Sequence, residues 1–82
     1  MTVQRILDCG VIAIIRASNP AGLVEAAEAI VAGGVTVVEF TLTTPEAARL
    51  IGEARERLGE RALVGAGTVL SVEQARAALE AG

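Results

Sequence analysis

The stretch Val35-Thr36-Val37-Val38-Glu39-Phe40-Thr41-Leu42-Thr43-Thr44-Pro45 decides the reading of this chain. Its Val, Phe and Leu content suits a strand with apolar cover on both faces, as parallel sheets provide. One acid, Glu39, stands in the middle of it. Glu is almost never fully buried without a partner or a task. Burying it costs several kcal/mol unless its pKa rises or a cation or hydrogen-bond donor meets it. The run leaves through a series of hydroxyls into Pro45, where a helix is expected to start with Thr44 as its cap.

On the amino-terminal side, Thr2 to Cys9 patterns as a short amphipathic helix with Val3, Ile6 and Leu7 on one side and Gly10 as its stop. Val11-Ile12-Ala13-Ile14-Ile15-Arg16 has the length of a strand. Ser18-Asn19-Pro20 offers a cap followed by proline, and Leu23, Ala26, Ala27, Ile30 and Val31 form one helical stripe. Gly33-Gly34 ends that helix. Beyond Pro45, a second stripe runs through Ala47, Leu50, Ile51, Ala54 and Leu58, with Arg49, Glu53 and Arg57 as an ion-pair ladder on its outer face. Ala62 to Val69 is the third strand. Ser71-Val72-Glu73-Gln74 fits a capping box opening a helix with Val72, Ala75 and Leu79 inward.

Strands therefore begin near residues 11, 36 and 62, one β-plus-α unit apart. Such alternation predicts parallel strands joined by right-handed crossovers. Three units cannot close a barrel, and a closed (β/α)8 barrel needs about 250 residues. The expectation is α/β: the first three βα units of a (β/α)8 TIM barrel, preceded by a short helix, with residues 1–82 forming the amino-terminal part of one domain. A doubly wound sheet is the structural rival.

Composition narrows the function. The 82 residues are 52% hydrophobic with one Phe and no Tyr or Trp, which suits a layered Ala/Val/Ile/Leu core. Net charge is −3, and all seven cations are Arg. A basic, aromatic-bearing nucleic-acid face is not expected. No apolar run reaches the length of a membrane span, and Gln4, Arg5 and Asp8 interrupt any secretory-type start. With no His and a lone Cys9, neither a disulfide framework nor a metal site is expected, and a reducing cytoplasmic setting is the default.

Working residues of parallel α/β folds lie at the carboxyl ends of strands. Those ends hold Arg16, then Glu39 with Thr41, Thr43 and Thr44, then Gly65, Gly67 and Thr68. Strand parity puts Val37, Glu39 and Thr41 on one face, and likewise Ile12, Ile14 and Arg16. Glu39 is then either half of an interior ion pair with Arg16 or a proton-transfer group raised toward neutral pKa by its apolar strand. Arg16 is either a solvent-facing strand end or a planar fork for a carboxylate or phosphate. Gly65-Ala66-Gly67-Thr68 lacks the third glycine of a dinucleotide loop, having Leu70 there. Two glycines of one parity instead clear space for a ligand or a close approach, or simply pack tightly.

Taken together, Val11 to Arg16, Gly33-Gly34-Val35 leading to Glu39 and the Thr43-Thr44-Pro45 turn, and Gly65-Ala66-Gly67-Thr68-Val69 resemble the opening of the KHG/KDPG aldolases. The resemblance implies a class I aldolase on a TIM barrel, trimeric when full-length, without a cofactor. Such an enzyme cleaves 2-keto-3-deoxy-6-phosphogluconate or 4-hydroxy-2-oxoglutarate to pyruvate and an aldehyde through a lysine Schiff base. Glu39 matches the family's acid/base, and Thr68 matches a residue holding the pyruvate carboxylate. Many members carry an arginine where this chain has Thr43, so Arg16 is the expected substitute for gripping that carboxylate.

The chain contains no lysine, and a Schiff base needs a deprotonated lysine amine. It is therefore expected to be the amino-terminal portion of an aldolase and inactive alone. The rival from another class is a non-catalytic half-barrel scaffold that self-associates to cover open edges. A third reading is a different phosphosugar barrel without pyruvate specificity.

Overall fold

Three βα units follow a leading helix in the computed structural model, which describes residues 2–82. The elements are α1 (Thr2–Cys9), β1 (Ala13–Ile15), α2 (Leu23–Ala32), β2 (Val37–Thr41), α3 (Ala47–Leu58), a 3-10 turn (Gly59–Arg61), β3 (Leu63–Gly67) and α4 (Val72–Ala81). The strands form one parallel sheet in the order β1-β2-β3. Each strand is shorter than its apolar run, because pairing is confined to the residues that face a neighbour.

Register and pleat sort the side chains. Ile14, Glu39 and Gly65 lie abreast, as do Ile15, Phe40 and Ala66. The second row belongs to the face covered by helices, where Ile15, Val38, Phe40 and Val64 meet Val24 and Ala27 of α2 and Leu50, Ile51, Ala54 and Leu58 of α3. Phe40 is 0% exposed, and filling that site contributes about 1.5–3 kcal/mol. The stripe expected on α3 is buried in full. The first row belongs to the opposite face, which no helix of the chain covers at its centre, and Ile14 there is 64% exposed.

The outer ladder of α3 forms, with Arg49 and Arg57 each 3.2 Å from Glu53. Arg57 also reaches Glu28 at 3.0 Å and Glu25 at 3.3 Å on α2, tying neighbouring helices together. The hydrogen bond to Glu28, then the surrounding carboxylates, hold the Arg57 guanidinium above its ordinary pKa.

Several local expectations are corrected. The helix after β1 starts at Leu23, not at Pro20: Asn19 Oδ1 accepts from the Ala21 N–H at 2.9 Å, so its side chain closes a turn, and Gly22 at φ 77 leads into α2. On α2, Ala27 is buried and Leu23, Ile30 and Val31 pack against the core as expected, but Ala26 is exposed and Val24 is buried instead. Thr44 does not cap α3. Its hydroxyl is engaged with Thr41, and the helix begins at Ala47 behind Glu46, whose φ is 59. On α4 the cap is as expected, Ser71 Oγ accepting from the Gln74 N–H at 3.1 Å. Yet Val72 is 72% and Leu79 is 82% exposed, so its apolar side is not inward. The helix lies beside an open apolar groove of about 340 Å³ lined by Ile51, Val64, Val69, Ala75 and Leu79, which none of the described residues fills. The apolar side of α1 is likewise uncovered, with Val3 62% and Leu7 67% exposed.

Candidate functional site

Glu39 is the centre of the uncovered sheet face. Its strand neighbours on that face, Val37 and Thr41, are buried, whereas Glu39 is half-buried. Strand alternation forces this placement: Val38 and Phe40 are claimed by the helix side, so the residue between them must project the other way. The carboxylate then leans across β3. A Cβ built on Gly67 would run into Glu39 Oε1 and lie 3.0 Å from its Cδ. Gly67 is thus a place where only a missing side chain leaves room for the acid. Gly65, abreast of Glu39, has nothing within 4 Å of where its side chain would be, so the face beside the carboxylate is open.

The carboxyl ends of the strands gather the remaining candidates. Leu42 N–H donates to Gly67 O at 2.9 Å, which carries the β2–β3 ladder one step beyond the strands. Thr68 follows at φ 57, a left-handed conformation uncommon outside glycine, and turns the chain sharply as β3 ends. It is half-buried. Thr43 is exposed at the neighbouring rim, its hydroxyl 3.0 Å from that of Thr41. Arg16 directly follows β1 and is exposed.

The interior ion pair between Arg16 and Glu39 does not form. Among the described residues, the ion pairs are those of Arg49 and Arg57. The reason is geometric: Ile14, not Arg16, stands abreast of Glu39, and the acid is turned toward Gly67 on the far side. The structure therefore brings Glu39 and Gly67 together, sets Thr68 next to Gly67 in the chain, and leaves Arg16 and Thr43 exposed at the rim, Thr43 bonded to Thr41.

A further connection was not anticipated from the residues. Thr44 Oγ1 lies 3.1 Å from Thr41 Oγ1 and accepts from the Ala17 N–H at 3.4 Å, linking the exits of β1 and β2. The available signal is the threonine spacing at 41, 43 and 44. At the opposite end of the sheet, Cys9 meets the backbone ahead of β2. Backbone hydrogen bonding at Thr36, the largest influence, lowers its thiol pKa, and the thiol also donates to Val11 O at 3.3 Å.

No described helix is long and apolar enough to cross a membrane. The pattern of the family described as KDPG and KHG aldolase matches residues 3–82. A 2-dehydro-3-deoxy-phosphogluconate aldolase of Zymomonas mobilis is 52% identical over 56 residues, covering 68% of this chain and 26% of that protein. A protein of the same name from Treponema pallidum is 39% identical over 72 residues, covering 88% of this chain and 34% of that one. Among solved structures, the crystal structure of a 2-keto-3-deoxy-6-phospho-gluconate aldolase from Zymomonas mobilis superposes with a TM-score of 0.75 at 41% identity. It covers 87% of this chain and 34% of that structure, so the chain spans about a third of it. The three parallel βα units are those of a TIM-barrel-type fold, which sets aside the doubly wound alternative.

Proposed function

Because this chain belongs to the KDPG and KHG aldolase family, we propose that it supplies the first three βα units of a class I aldolase. The parent enzyme cleaves 2-keto-3-deoxy-6-phosphogluconate, 4-hydroxy-2-oxoglutarate or both to pyruvate and an aldehyde. The observation that carries this reading is the Glu39 carboxylate, half-buried on the open sheet face and turned into the space that Gly67 leaves. A carboxyl group so placed is held by the sheet on one side and open to a ligand on the other, the geometry a proton-transfer group needs.

Its task is to move that proton. As an amine adds to the substrate carbonyl, Glu39 gives a proton to the oxygen, takes one back from the nitrogen, and passes it to the new hydroxyl, which leaves as water and leaves Glu39 a carboxylate. As the carbon–carbon bond breaks, it takes the proton from the substrate's 4-hydroxyl. The lysine amine must come from outside these 82 residues, which contain none. Thr68, fixed by its left-handed turn, presents a hydroxyl and an amide to the pyruvate carboxylate. Arg16, exposed and without an ion-pair partner among the described residues, is available to grip the same group. Thr43 lies on the same rim. A homotrimer for the full-length protein and a reducing cytoplasmic setting, in keeping with the free Cys9, complete this reading.

A chimera tests it: residues 3–82 replace the matching first third of the Zymomonas mobilis aldolase. Release of pyruvate from the phosphorylated sugar acid supports the assignment. A folded chimera that traps pyruvate under borohydride but cleaves nothing overturns it.

One set of observations favours a second reading, a non-catalytic scaffold. Ile14, Leu70, Val72 and Leu79 are 64–82% exposed along the uncovered face and the β3–α4 side. Surface of that kind is rare on monomers. Sedimentation of the purified chain distinguishes them, since a specific, stable oligomer without aldolase function in the chimera favours the scaffold.

A further inference from the structure

Ile14 is large, apolar and exposed, and it stands beside the acid rather than in the core. It lies abreast of Glu39 in the parallel register, and Gly65 of β3 lies abreast of Glu39 on the other side. Neighbouring strands are about 4.8 Å apart, so the Ile14 and Glu39 side chains leave the same face of the sheet as immediate neighbours. Ile14 is 64% exposed there, whereas the next residue, Ile15, is 7% exposed on the helix side. A Cβ placed on Gly65 would have nothing within 4 Å, so the β3 side of the row offers space and no wall. The carboxylate itself leans toward Gly67, away from Ile14. Across the three strands the row is therefore an apolar wall, an acid and a gap.

We propose that Ile14 is a specificity-determining residue that keeps C3 of the keto acid unsubstituted, so that pyruvate is selected over 2-oxobutyrate. This inference rests on the aldolase reading for the identity of the ligand; the placement of the wall stands on register and exposure. In that chemistry Glu39 serves two oxygens, the one on C2 and the hydroxyl on C4. C3 joins those two carbons, so one carboxyl group that reaches both oxygens also has C3 beside it. C3 carries no hydrogen-bonding group, and what it can meet are the residues abreast of the acid. Gly65 presents no side chain, and Ile14 presents a branched hydrocarbon. Contact with Ile14 takes apolar surface of both partners out of water, which favours a bare C3. A methyl group on C3, as in 2-oxobutyrate, would need the space that the isoleucine already occupies.

Hydrogen exchange by the chimera in deuterium oxide tests it, with pyruvate and 2-oxobutyrate as separate probes. Through the enamine that cleavage also forms, each acid loses a C3 hydrogen to solvent and takes a deuteron in its place, with no change of oxidation state. Proton magnetic resonance follows the loss of the C3 signal. The quantity read is kcat/KM for exchange of 2-oxobutyrate relative to pyruvate. The chimera should exchange pyruvate well and 2-oxobutyrate poorly. Ile14→Ala should raise the ratio about 10-fold or more, the worth of room for one methylene in an apolar pocket. Ile14→Val, which keeps the β-branch that suits a strand, should raise it by less. Ile12→Ala removes the same atoms two residues earlier in the chain and should leave the ratio as it was. Comparable exchange of both acids by the chimera overturns the assignment. A ratio that neither Ile14 variant changes, or that Ile12→Ala raises equally, also overturns it, because Ile14 is then ordinary filling of the sheet face. In each of those outcomes the exchange of pyruvate leaves the aldolase reading standing. A folded chimera that traps pyruvate under borohydride but exchanges neither acid removes the aldolase reading and this inference together.

Discussion

Replacing Gly67 by alanine separates the stability of the fold from the placement of Glu39. The added methyl would collide with Glu39 Oε1 and sit 3.0 Å from Cδ, so one of the two groups must move. Gly67 lies in β3 and is not among the residues with positive φ, so its backbone accepts alanine. The carboxylate is the far end of a flexible side chain and gives way first. An off-rotamer Glu costs about 0.5–1.5 kcal/mol. Stiffening the unfolded chain by Gly→Ala returns about 0.4–1 kcal/mol. Net stability should therefore stay within about 1 kcal/mol of the starting value. Catalysis should not: a misplacement of about 1 Å costs on the order of 100-fold. Urea unfolding of the 82-residue chain measures the first quantity and the turnover number of the chimera the second. A nearly constant midpoint with a turnover number about 100-fold lower is the expected pair. Unaltered turnover would refute the claim that Gly67 sets the position of the acid. A stability loss above about 3 kcal/mol would show that the space belongs to the core instead.

Other consequences are more local. Phe40→Ala removes a side chain that is 0% exposed and should cost about 3–5 kcal/mol, enough to abolish cooperative thermal unfolding in a domain this small. Loss of the circular-dichroism transition checks it. Cys9 should alkylate with a midpoint at lower pH in the folded chain than in urea, because backbone hydrogen bonding at Thr36 favours its thiolate. The lowered folded pKa means this contribution to stability is present at alkaline pH above the unfolded value and fades as pH falls through the folded one. Coincident midpoints in the two states would contradict it. Leu79→Glu, at a position 82% exposed on α4, should reduce self-association in sedimentation without altering the far-ultraviolet spectrum.

How much of this was legible follows from which interactions are local. The α3 stripe Ala47, Leu50, Ile51, Ala54 and Leu58 is buried as its spacing demands, because that helix packs over strands within the chain. Glu39 could be assigned to its face by pleat alone, and the glycine spacing announced a close approach that the structure supplies at Gly67. What failed depended on competition between partners. Thr44 and Asn19 are good helix caps by type, yet each found another hydrogen bond, with Thr41 and with the Ala21 amide. Arg16 and Glu39 have opposite charges at neighbouring strand ends, but register sets Ile14 opposite the acid. Val72 and Leu79 follow a correct helical period, and periodicity does not say whether a neighbouring element is present to receive them.

The central claim is that the Glu39 carboxyl group moves a proton during cleavage. The turnover number of the chimera with and without Glu39→Gln tests it most directly, because glutamine keeps the size and the hydrogen-bonding shape but cannot exchange that proton. The account predicts a fall of about 100-fold or more with a Michaelis constant little changed. Equal turnover in the two proteins would contradict it.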